Sequence, residues 1–190
     1  MNLLSFFCEA NIAASQICPS WLSPSPMIAY VYAPSFFILD PKAKILRKEL
    51  KERGIYLLNV MSSPGSGKTT TLTRVINLLK DEFKIAVMEA DIDSDVDAKT
   101  IAERTGVKSI QLHTGGMCHL DAQMTRQGIE GFSAEETDKS EDPDLIILEN
   151  IGNLVCPAEF DTGATKSINI LSVPEGHDKP LKYPLMYETC

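Results

Sequence analysis

From Lys42 onward, apolar residues follow two rhythms that take turns along the chain. Short continuous runs read as buried strands, and stretches where apolar positions return every three or four residues read as amphipathic helices. The first helical segment covers Lys42–Arg53, with Ile45, Leu46 and Leu50 as its stripe and Gly54 as its stop. A buried run follows over Ile55–Met61, and a helical pattern over Thr71–Leu79 extends to about Lys80. Phe83–Ala90 predicts a second strand built on Ile85, Ala86, Val87 and Met88. Ala98–Arg104 predicts a helix that Gly106 ends, and Val107–Leu112 a third strand, followed by a helix towards Phe132. Ser133–Asp142 is polar and acidic and reads as a surface loop. Asp144–Leu148 and Ser167–Val173 read as further strands. Beyond Pro174 the pattern thins out. Strands alternating with helices predict an α/β fold with a mainly parallel sheet and helices on both faces.

Residues 1–41 break this rhythm. They hold no Lys or Arg and carry Pro19, Pro24, Pro26, Pro34 and Pro41. That proline density excludes a long helix. The chain therefore divides into a poorly ordered, Pro-rich stretch over 1–41 and a domain over 42–190. Residues 1–41 lack the basic start of a secretory signal and the arginines of a transit peptide, so the expected location is cytoplasmic. The five cysteines are odd in number and irregular in spacing, which suits metal-binding thiols in a reducing compartment better than disulfides. The net charge of −8 argues against broad binding to nucleic acid or anionic membranes, and no run of about 18 apolar residues suggests a membrane span.

The chemistry begins at Met61-Ser62-Ser63-Pro64-Gly65-Ser66-Gly67-Lys68-Thr69-Thr70, between a strand pattern and a helix pattern. This is the context a phosphate-binding loop needs. Gly65 and Gly67 allow the tight turn that points successive N–H groups inward, and the helix start adds its own unpaired N–H groups. Ser63, Pro64, Gly65, Ser66, Gly67, Lys68, Thr69 and Thr70 are the expected nucleotide-binding residues, with Lys68 on the β- and γ-phosphates and Thr69 on Mg2+. Ser62 stands where the general pattern has its first glycine.

Two further groups belong at the carboxyl ends of strands, where open parallel sheets bind ligands. Glu89, Asp91, Asp93, Asp95 and Asp97 follow the second strand, and Asp91 is the first choice for a residue linked to Mg2+. Cys118, His119 and Cys156 each follow a strand end. They read either as soft ligands suited to Zn2+ or Ni2+, or as small buried apolar cysteines beside a helix-start histidine.

Three segments together resemble the hydrogenase nickel-incorporation GTPase family, HypB. They are the loop above, Thr114-Gly115-Gly116-Met117-Cys118-His119-Leu120-Asp121-Ala122, and Glu149-Asn150-Ile151-Gly152-Asn153-Leu154-Val155-Cys156-Pro157-Ala158. The resemblance covers about Lys42 to Tyr187. It implies a P-loop GTPase of the signal-recognition-particle and MinD-like class that hydrolyses GTP with Mg2+ and acts as a homodimer. It implies a role in placing nickel in the large subunit of [NiFe] hydrogenase, together with a small nickel-donor protein (HypA). It assigns catalytic roles to Lys68, Asp91 and Glu149, and a site for Ni2+ or Zn2+ to Cys118, His119 and Cys156. Gln123 stands where some members have a further histidine, and Arg126 is a candidate arginine finger. The family's guanine-reading Asn-Lys-x-Asp segment and its last strand and helices have no counterpart here, so the resemblance is to a C-terminally truncated member. The competing reading is a truncated fragment that binds metal or phosphate without turnover. A urease-accessory GTPase would carry a Cys-Pro-His motif, which this sequence lacks.

Overall fold

A computed structural model of the chain describes residues 27–31, 40–91, 96–133 and 142–190. The elements run in the order β1 (Met27–Val31), α1 (Pro41–Arg53), β2 (Tyr56–Ser62), α2 (Lys68–Leu79), β3 (Ile85–Asp91), α3 (Val96–Thr105), β4 (Lys108–His113), α4 (Ala122–Ser133), β5 (Leu145–Glu149), α5 (Cys156–Glu159) and β6 (Lys166–Ser172). A 3₁₀ turn (Val173–Glu175), α6 (Lys179–Lys182) and α7 (Pro184–Glu188) complete the chain.

One sheet has the strand order β1-β6-β2-β5-β3-β4. From β6 to β4 all neighbours are parallel, and β1 joins β6 antiparallel, from Met27 opposite Ser172 to Val31 opposite Ile168. This is the expected P-loop α/β sheet with one addition. Met27–Val31 falls inside the Pro-rich stretch read as poorly ordered. The segment Met-Ile-Ala-Tyr-Val lies between Pro26 and Pro34, and five apolar residues free of proline are enough for an edge strand. The rest of residues 1–39 and the acidic loop over 134–141 lie outside the described residues.

Strand parity divides the core. Leu57, Met88, Ile146 and Leu148 pack on one face with Leu46 and Leu50 of α1 and Ile129 and Phe132 of α4. Leu58, Val60, Val87, Leu145 and Ile147 face the other way, with Leu72, Ile76 and Leu79 of α2 and Ile101 of α3. The central strand β5 is buried on both faces, which explains its unbroken Leu-Ile-Ile-Leu run. Helix α1 starts with Pro41 in its first turn and the Asp40 side chain accepting the Lys42 N–H at 2.9 Å, and it ends on Gly54 in the left-handed region. The C-terminal segment, which shows no clear period, forms a third cluster in which Met186 and Cys190 bury against Met61, Leu154 and Ala158.

Because β2 to β6 run parallel, the segments after β2, β4 and β5 all emerge at one edge of the sheet. They are the glycine-rich loop, the Thr114–Asp121 segment and the Asn150–Val155 segment. β5 separates β2 from β3 and leaves a crevice above its own end.

Candidate functional site

The loop leaves β2 at Ser62 and turns with Gly65 at φ 73° and Gly67 at φ 91°, both in the left-handed region that favours glycine. Gly67 is the N-cap of α2, with no side chain capping the helix, so the leading N–H groups are left to a ligand. Ser62 is fully buried at the root of the loop. Its hydroxyl donates to Ser63 O at 2.9 Å and accepts from Ser66 Oγ at 2.6 Å and Lys68 Nζ at 2.9 Å. The Ser63 hydroxyl is buried with no protein partner. The cleft over the loop measures about 430 Å³. Its floor is Pro64, Gly65, Gly67, Lys68, Thr69 and Thr70, and its far wall is Glu89, Ala90, Glu149, Asn150, Ile151 and Gly152.

Glu149 and Glu89 are in-register neighbours on β5 and β3, each at most 3% exposed. They continue the parity of Leu145, Ile147 and Val87, so they stand on the α2 side of the sheet. Thr69 Oγ1 donates to Glu149 Oε1 at 3.1 Å. A threonine hydroxyl and a carboxylate beside a phosphate loop form the hard-oxygen set that Mg2+ prefers. The donor chemistry therefore fits that cation, with Thr69 and Glu149 as the residues that would hold it.

The strand before the glycine loop and the segment after β5 are tied together. Asn150 Nδ2 donates to Asn59 Oδ1 at 3.0 Å, Asn59 Nδ2 donates to Ser167 Oγ at 3.2 Å, and Asn150 Oδ1 accepts the Ile151 N–H at 2.9 Å. Gly152 then passes so close to the loop that a Cβ there would lie 3.2 Å from Pro64 N and Cα and 3.4 Å from Lys68 Nζ. Four residues further on is Cys156, at the start of α5.

Cys156 meets Cys118, with the two Sγ atoms 2.9 Å apart and both thiols free. Sharing this contact pushes the Cys118 thiol up, and desolvation and the neighbouring thiolate charge push it the same way. The Thr114–Asp121 segment that carries Cys118 is held by Thr114 Oγ1 donating to Met117 O at 2.7 Å, and by Gly115 and Gly116 at positive φ. Asp121 Oδ1 accepts the Met124 N–H at 2.8 Å and starts α4. His119, the third residue expected at the metal, stacks on Phe160 with ring centroids 3.5 Å apart. Among the described residues no three His, Cys, Asp or Glu side chains form a metal-holding group. The two thiols therefore come together and the imidazole points elsewhere.

Arg126 is not placed as an arginine finger. Its guanidinium donates to Glu49 Oε2 at 2.6 Å, on the α4 face against α1, and Gln123 on the same face accepts from Lys42 Nζ at 2.7 Å. Asp91 ends β3 opposite His113 of β4, and its side chain, like Asp93 and Asp95, lies outside the described residues. Glu89 was visible only as one acid in a run. Counting by two from Val87 picks it out as the acid on the pocket side. The buried Asn59–Asn150 tie carries no short-range sequence signal, since its partners are 91 residues apart. The Ser62 hub is local, with Lys68 six positions away, and only its side-chain directions were not legible.

The family described as CobW/HypB/UreG, nucleotide-binding domain, matches residues 56–173. The hydrogenase maturation factor HypB of Rhizobium leguminosarum bv. viciae is 46% identical over 148 residues, covering 78% of this chain and 47% of that protein. The hydrogenase/urease maturation factor HypB of Helicobacter hepaticus is 44% identical over 148 residues, covering 59% of that protein. The chain thus spans about half the length of the curated relatives it matches. Among solved structures, HypB from Helicobacter pylori in complex with nickel superposes with a TM-score of 0.68 at 45% identity, covering 76% of this chain and 65% of that one. The hydrogenase maturation factor HypB from Archaeoglobus fulgidus gives the same TM-score at 35% identity, covering 78% of this chain and 69% of that one.

Proposed function

Because the chain belongs to the CobW/HypB/UreG nucleotide-binding domain family, we propose that it is a GTP-hydrolysing nickel metallochaperone of [NiFe] hydrogenase maturation. The observation that carries this reading is the single segment from Glu149 to Cys156. Its first residue accepts the Thr69 hydroxyl, its middle packs Gly152 against Pro64 and Lys68, and its last places a thiol on Cys118. A change at the phosphates is thereby passed to the thiol pair through eight consecutive residues. Segments that tighten around a γ-phosphate and relax on hydrolysis are a known type of switch.

In this reading the loop N–H groups and Lys68 hold the β- and γ-phosphates of GTP. Thr69 and Glu149 hold Mg2+, which when bound neutralises charge developing on the transferred phosphoryl group. Lys68, Asp91 and Glu149 are the proposed catalytic residues. Nickel is cargo, taken by the Cys118 and Cys156 thiolates, and Zn2+ suits the same donors. His119 joins them only by leaving the Phe160 ring, and a second copy of the chain in a homodimer would complete the ligand set. A small nickel donor (HypA) and the hydrogenase large subunit are the proposed partners, and the cytoplasm the proposed location. Among the described residues no helix is long and apolar enough to cross a membrane. Because the chain spans 47% to 59% of its relatives, a second reading is a fragment that binds nucleotide and metal without turnover.

The test is Mg2+-dependent GTP hydrolysis by the purified chain, expected to vanish in Lys68→Ala. Ni2+ titration should give thiolate charge-transfer bands that disappear in the Cys118→Ala/Cys156→Ala double variant. Nucleotide binding without hydrolysis would favour the second reading, and nickel bands that survive the double variant would remove the metal assignment.

A further inference from the structure

Ser62 replaces the first glycine of the loop pattern, and its side chain is where the loop's own polar groups meet. A hydroxyl has one hydrogen to give and two lone pairs. Ser62 uses all three: it donates to Ser63 O, and it accepts from Ser66 Oγ and from Lys68 Nζ. The residue is fully buried, and its parity with Leu58 and Val60 puts it on the α2 side of β2, beside Glu149 and Glu89. A glycine here would leave the Lys68 ammonium to choose its own direction among the rotamers of a four-carbon chain.

We propose that Ser62 is a positioning residue for Lys68, aiming its ammonium at the γ-phosphate end of the cleft before nucleotide arrives. This rests on the nucleotide-binding reading above and adds a residue to it. One of the three ammonium hydrogens is spent on the Ser62 hydroxyl, which leaves two directed into the cleft. Gly152 also borders the ammonium, since a Cβ there would lie in van der Waals contact with Nζ at 3.4 Å. The lysine is therefore held by the Ser62 hydrogen bond at the root of the loop. Such preorganisation lowers the entropy lost when the side chain engages a ligand. The effect falls on the γ-phosphate. The β-phosphate is surrounded by loop N–H groups whatever the lysine does, whereas the γ-phosphate lies beyond them and depends on Lys68 and the cation.

The experiment measures binding of fluorescent GTP and GDP, with Mg2+, to the 190-residue chain and to Ser62→Ala and Ser62→Gly. Loss of one charge-assisted hydrogen bond predicts that Ser62→Ala weakens GTP about tenfold and GDP less than about twofold. Ser62→Gly, which restores the general loop pattern, should weaken GTP to the same extent. The proposal is overturned if GTP and GDP weaken by equal factors, because Ser62 then merely knits the loop through Ser66. It is also overturned if Ser62→Gly binds GTP as tightly as the unsubstituted chain, or if both variants fail to fold, which would make Ser62 a packing residue. If the unsubstituted chain binds neither nucleotide, the nucleotide reading falls as well. Intact binding with an unchanged GTP-to-GDP ratio in the variants removes the Ser62 role alone.

Discussion

Cys190 is fully buried against Met61 and Met186, and burial pushes its thiol up to about 12. Only the thiolate is nucleophilic, so at pH 8 that buried site is almost entirely unreactive. Cys118 and Cys156 are partly exposed on a sheet edge, and their mutual contact raises Cys118 without enclosing it. Iodoacetamide at pH 8 should therefore modify Cys118 and Cys156 within minutes and leave Cys190 untouched until the chain is unfolded. Peptide mass spectrometry reads each site separately. Rapid labelling of Cys190 in the folded chain would mean that the C-terminal cluster is not closed. At this scale the sequence was informative in one direction only. Cys118 and Cys156 were legible as a pair because each follows a strand end. That His119 would stack on Phe160 was not legible, because the ring partner lies 41 positions away and belongs to no motif.

Helix α1 is joined to the sheet through the segment before β6. Arg47 donates to Asp161 Oδ1 at 2.6 Å and to Ala164 O at 2.9 Å, and the same Asp161 oxygen accepts the Gly163 N–H at 2.9 Å. Gly163 has φ 77°, and a Cβ on it would lie 2.8 Å from Leu46 Cδ2 and 3.2 Å from Leu46 Cβ. Gly163→Ala combines a left-handed backbone penalty of about 1–2 kcal/mol with overpacking of about 1–3 kcal/mol. The expected loss is about 2–5 kcal/mol, read as a melting temperature lower by about 4–20 °C for a chain of this size. A change under about 2 °C would show that α1 can move away from Leu46's present seat at little cost. Every helix and strand from 41 to 133, and β5 and β6 after them, was anticipated within a few residues, because each carries a clear period or an unbroken apolar run. The short α5, α6 and α7 were not, since four or five residues are too few to show a period.

For the molecule as a whole, β6 is an outer strand of the parallel set, and Met27–Val31 covers its free side with an antiparallel ladder. An uncovered strand edge offers unpaired N–H and C=O groups to another chain. A chain beginning at Asp40 should therefore self-associate as concentration rises, seen as an increase in light scattering, while the unshortened chain remains unchanged. Equal scattering from both would mean that β1 does not protect the edge. This strand was hidden in the sequence by the prolines on either side, which mark the stretch as irregular and distract from five apolar residues between them.

What the sequence alone determined is local: the periods that set strands and helices, and the strand–loop–helix context of the glycine loop. Parallel strands then place every loop that follows a strand at the same edge, so the convergence of Lys68, Glu149, Cys118 and Cys156 followed from order alone. The tertiary structure decided what depends on distance in space rather than along the chain. It paired Glu89 with Glu149 across two strands, tied Asn150 to Asn59, and turned Arg126 towards Glu49. Such contacts depend on how two packed faces meet, and side-chain direction at that junction is set by the neighbours that fill the remaining volume.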